Sequence, residues 1–184
     1  MKSLSTIGQL VFFVLLATGS ARAQCILSVA GALTAEDPVQ LGRLSRNGVP
    51  QDWSGTEQVP GVINASTQYH FQLYRVTVRN TPFVQISVDS VSATTFFSAY
   101  DTSYDPAGGL AANWLGDAGF SGNFPPPNPI FFQVRVPQNH DLVVVVNNTA
   151  VSNGGVGDPF RLIVEGFADP EFTERVRGQG LCKD

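Results

Sequence analysis

The chain has 184 residues, 43% of them hydrophobic and only 14% charged, with a formal net charge of −4. That length supports one domain with a real core, and a mildly acidic chain without a basic cluster excludes nucleic acid and anionic membrane surfaces as partners. Eighteen glycines and twelve prolines in so weakly charged a chain exclude a helical bundle and fit a turn-rich β protein.

The first 23 residues read as a secretion signal. Lys2 supplies the charged start, residues 10–16 supply the apolar run, and Ala21-Arg22-Ala23 is a small-x-small cleavage site. The apolar run is too short to span a bilayer, so the mature domain, residues 24–184, is expected to be soluble, free of the membrane, and secreted or periplasmic. Gln24 and Arg22 occupy positions where lipidation of Cys25 would need other residues, which argues against a lipid anchor. Cys25 and Cys182 stand at opposite ends of the mature chain. In an oxidising compartment such a pair is most simply a disulfide, worth roughly 5 kcal/mol by closing nearly the whole chain.

Taken in order, the mature chain is a series of short β-like runs. Residues 26–33 form a weak first run and 39–44 a second. Residues 69–73 alternate strictly, and the phase then changes at Tyr74, which predicts a β-bulge. Residues 83–91 alternate again, and 95–100 are aromatic and β-favouring. Residues 130–136 and 142–146 are the strongest pair, with 137–141 between them as a hairpin turn. Val143-Val144-Val145-Val146 is apolar on both faces, which predicts a central strand covered from both sides. Residues 160–167 make the last strand. Asp169 as a cap, Pro170 in the first turn and Gly178 as a stop predict a short helical turn that leads Cys182 back to Cys25. About eight strands without βαβ spacing imply an all-β fold, an antiparallel jelly-roll-like β-sandwich. Two stretches, 45–68 and 101–128, resist a strand reading, and such loops are where a site belongs.

Phe96-Phe97-Ser98-Ala99-Tyr100, then Asn113-Trp114-Leu115-Gly116-Asp117-Ala118-Gly119, carry a resemblance. So do Phe132-x-Val134-x-Val136-Pro137, Leu142-Val143-Val144-Val145-Val146-Asn147 and Phe160-Arg161-Leu162-Ile163-Val164. Over residues 68–167 the chain resembles secreted bacterial domains of the pre-peptidase C-terminal type. The resemblance implies a jelly-roll-like sandwich with an accessory role in adhesion, substrate targeting or secretion, in a family where some members bind calcium or polysaccharide.

Catalysis is not indicated. A nucleophile needs a base beside it, and the two histidines fall on a polar strand face (His70) and in a turn (His140). No catalytic residue is therefore assigned. Asp101, Asp105 and Asp117, with Asn113 and Ser103 near them in sequence, supply the oxygens that calcium would take, although their spacing matches no calcium motif. The alternative is ordinary turns with carboxylates bonded to nearby amides. Trp53, Tyr104, Trp114 and Phe120 lie in or beside the two long loops, where exposed rings would bind sugar or anchor a protein. Trp114 reads first as a plug for one end of the sandwich, and Trp53, flanked by polar residues, as the better exposed contact. The expectation is a non-catalytic module for adhesion or for targeting an extracellular polysaccharide or surface protein. The alternatives are a hydrolase using loop carboxylates and a purely structural envelope or matrix protein.

Overall fold

Short alternating runs bounded by glycine, proline and asparagine produce nine strands in the computed structural model, which describes residues 23–53, 56–90, 92–107, 109–121, 130–151, 153–168 and Cys182. They are β1 (Gln24–Ala32), β2 (Val39–Leu44), β3 (Val62–Thr77), β4 (Phe83–Ser90), β5 (Thr95–Asp101), β6 (Trp114–Asp117), β7 (Ile130–Arg135), β8 (Asp141–Asn148) and β9 (Pro159–Phe167). Among the described residues none is helical. The secretion signal and the helical turn expected at 169–178 lie outside the described residues.

The strands form two antiparallel sheets, ordered β1-β9-β4-β7 and β2-β3-β8-β5-β6. One apolar core joins them. Ile86 of β4, Phe132 of β7 and Leu162 of β9 pack in the same cluster as Phe97 of β5 and Leu142, Val144 and Val146 of β8. The molecule is thus a β-sandwich, with the alternate residues of each strand closing the interior. Val143 and Val145 point the other way, into a second cluster with Phe71, Phe96, Tyr100 and Trp114. The central strand β8 is therefore covered on both faces, as its apolar run requires.

Three sequence expectations need correction. Residues 62–68 and 114–117 fall in strands although they sit in the stretches read as loops; the first lengthens β3 and the second, β6, raises the count among the described residues to nine. The bulge expected at Tyr74 is absent, because Phe71 to Thr77 pair with Asn147 to Asp141 in unbroken register. The apparent phase change arises because β3 is buried on opposite faces in its two halves. Phe71 lies in the outer cluster and Val76 in the inner core. Lastly, β7 and β8 are not a hairpin: β7 pairs with β4 in one sheet, β8 with β3 and β5 in the other. The turn between them is a corner, and its five residues easily cross the ~10 Å between stacked sheets.

The remaining parts of the long loops act as covers. Residues 102–113 fold over the outer face of the five-stranded sheet, burying Leu110 and bringing Tyr104 and Ala111 against its second cluster. Residues 45–53 form a strap across the open side of the sandwich. The Gly48 amide donates to Gly119 O (2.9 Å), that of Gln51 to Asp117 O (3.1 Å), and that of Gln133 to Gln51 O (2.8 Å). The strap thereby joins the edge strand of one sheet to the edge strand of the other and occupies backbone groups that exposed edges would offer to other chains. On the opposite side, the disulfide Cys25–Cys182 ties the end of the chain to the edge strand β1, with Cα atoms 5.1 Å apart.

Candidate ligand cleft

The four aromatic residues expected to bind ligand do not form one surface. Trp114 is 5% exposed and packs in the outer cluster. Tyr104 joins the same cluster, with ring centroids 5.4 Å from Phe71 and 4.8 Å from Tyr100, and its hydroxyl donates to Gln40 Oε1. Burial, with Tyr100 and Asp105 nearby, pushes its phenol well above the ordinary range. These two rings hold the 102–113 cover in place. Phe120 is half-buried at a different position, in a hollow of about 260 Å³ with Arg46, Gly48, Gly119 and Ser121. Trp53, at the end of the strap, stands edge-on to Phe83 at 5.5 Å and tilted to Phe167 at 6.4 Å.

The three aspartates are also apart. Asp101 Oδ1 accepts from Thr102 Oγ1 (2.9 Å) and pairs with His140 Nδ1 (2.7 Å). Asp105 Oδ1 accepts from the Ala107 amide (2.9 Å), an ordinary Asx turn. Asp117 is 1% exposed, and its Oδ1 accepts from the Gly119 amide (2.7 Å). Burial raises its pKa from 3.8 to about 6, against the Gly119 amide and the Trp114 indole, which favour the charged form. Neither Trp114 Nε1 nor Asp117 Oδ2 completes a hydrogen bond of good geometry, so the indole acts across space and only partly offsets desolvation. Among the described residues no group of three or more His, Cys, Asp or Glu side chains is placed to hold a metal ion. His70 faces Asp37 O (3.0 Å) and Asn153 Oδ1 (3.2 Å).

A cleft opens at the end of the sandwich where β3 turns into β4 and β7 into β8. It has a volume of about 410 Å³, within the roughly 300–1,000 Å³ of small-ligand sites. Its apolar lining is Val78, Val136, Pro82 and Pro137; Asn80, Thr81, Gln138 and Arg135 add polar groups. Two features of the chain shape it. Asn80 takes a positive φ of 59°, which asparagine tolerates in a tight turn, and the Val136 amide donates to Pro82 O (2.8 Å), locking the turns together. Phe83 and Arg135 are cross-strand partners, and the guanidinium lies 5.8 Å from the ring centroid. Trp53 therefore meets Phe83 edge-on, Phe83 faces Arg135, and Arg135 connects this series to the cleft lining.

Of the predicted residues, only Trp53 is part of this series. Phe83, Arg135 and the turn residues were not singled out by sequence reasoning. The available signal was Pro82 and Pro137 beside two strand ends, but nothing local shows that the two turns meet. The fold and the cleft together define a β-sandwich with a rim of aromatic and cationic side chains. Compared with protein-family models, curated proteins and solved structures, the chain finds no match. Among the described residues no helix is long and apolar enough to cross a membrane.

Proposed function

We propose that the protein is an exported, non-catalytic binding module of jelly-roll type that takes an extracellular glycan or surface protein through its rim cleft. The observation that carries this reading is the juxtaposition of a 410 Å³ cleft with the Trp53–Phe83–Arg135 series. Flat rings and a guanidinium offer a sugar both an apolar face and hydrogen-bond donors. Export is supported by the signal-like start and by the disulfide, which suits an oxidising compartment.

The strand order supports the jelly-roll form. Leaving β2 aside as an extra edge strand, the chain alternates between sheets so that strands 1, 9, 4, 7 face strands 3, 8, 5, 6. That order also suits kinship with pre-peptidase C-terminal-type domains. The non-catalytic reading rests on where the titratable groups stand: both histidines are committed to other partners, and Asp117 is closed to solvent.

The test is a binding screen of the oxidised mature domain against soluble glycans and surface proteins, read by calorimetry. Binding that weakens about tenfold in Trp53→Ala supports the surface that Trp53, Phe83 and Arg135 form beside the cleft. No binding to any of them, or unchanged binding in that variant, rejects it. A hydrolase would instead release reducing ends from the same glycans.

A further inference from the structure

Resting on the binding-module reading, we infer that the cleft selects an acidic glycan, with the carboxylate of a uronic acid held by Arg135 and supported by Arg79. Arg135 carries the argument. It lines the cleft, and its guanidinium carbon lies 5.8 Å from the Phe83 ring centroid. The ion pairs among the described residues are Arg75–Asp141 and His140–Asp101, so no described carboxylate neutralises Arg135 or Arg79. Arg79 precedes Asn80 in the turn that forms one wall, and among the described residues no acidic one lines the cleft. A chain of net negative charge thus presents at this cleft a cation, Arg135, that no described carboxylate pairs with.

The chemistry of the lining narrows the ligand. Pro82 and Pro137 offer an apolar surface to the C–H face of a pyranose ring over a floor of buried Val78 and Val136, and Asn80 and Gln138 provide neutral donors and acceptors for hydroxyls. A neutral sugar would leave the guanidinium without an anion. A carboxylate gives it a planar, bidentate, charge-assisted pair. A simple acidic peptide would use the charge but not the ring-shaped apolar lining.

The experiment measures binding of the oxidised mature protein to oligogalacturonate, a neutral gluco-oligosaccharide of equal length, dextran sulfate and polyglutamate, at one ionic strength. The expected result is binding to oligogalacturonate at least about tenfold tighter than to the neutral oligomer. Arg135→Gln should erase that preference while leaving the melting temperature unchanged, since the side chain is exposed. Arg135→Lys should retain only part of it, and Arg79→Gln should reduce it by a smaller factor. Equal affinity for the neutral oligomer, or an undiminished preference in Arg135→Gln, overturns the acidic-glycan inference and leaves the binding module standing. Equal or tighter binding of dextran sulfate or polyglutamate also overturns it, because charge alone would then suffice. If no saccharide binds, the module reading falls and the inference with it.

Discussion

A Cβ added to Gly119 would stand 2.5 Å from the carbonyl carbon of Val49. Gly119 also has a φ of +69°, so two independent constraints demand glycine where the strap meets the end of β6. Gly119→Ala should cost at least about 1–2 kcal/mol and release the strap. Hydrogen exchange at the Gly48 and Gln51 amides checks this: they should lose protection before the core strands do. Unchanged protection would show that the strap does not depend on this contact.

Asp117 links stability to pH. Burial raises its pKa to about 6, so the folded state holds the proton more tightly than the unfolded chain. Its favourable contribution is complete below about pH 3.8 and is lost as the pH rises through 6. Asp117→Asn should remove a difference of about 2–3 kcal/mol between pH 4 and pH 7 relative to the parent. Urea unfolding across that range measures it, and parallel curves for the two proteins would refute the assignment.

The outer cluster makes Trp114 structural. It is 5% exposed beneath the 102–113 cover, so Trp114→Ala should destabilise by about 3–5 kcal/mol. Ligand affinity of the folded fraction should stay the same. A selective loss of affinity at unchanged stability would return Trp114 to the binding surface.

The unbroken register of β3 predicts opposite responses from two leucines. Leu142, fully buried in β8, should cost about 2–5 kcal/mol when replaced by alanine. Leu73, 41% exposed, should cost less than about 1 kcal/mol. A bulge at Tyr74 would turn Leu73 inward, and equal losses from chemical denaturation would reveal it.

Removing the disulfide enlarges the unfolded ensemble. Cys25→Ser with Cys182→Ser should lower stability by up to about 5 kcal/mol, since the two cysteines lie 157 residues apart. The denaturant slope should rise as the unfolded chain exposes more surface. An unaltered slope and midpoint would show the bridge to be dispensable.

The β class, most strand positions and the two-faced burial of β8 were readable because they depend on local alternation and turn chemistry. Val143 to Val146 alone announces a strand covered on both sides. The pairing of Cys25 with Cys182 followed from their number and place in the chain. Partners were different. Nothing in residues 130–146 distinguishes a hairpin from a corner, because either choice buries the same apolar faces. Register and sheet membership emerge only when all nine strands compete for neighbours. The same holds for the rim: Phe83 and Arg135 are 52 positions apart and become partners only through the β4–β7 ladder. Periodicity and turn residues act over a few residues, whereas a cleft is built from chain segments that meet only after the sheets have packed.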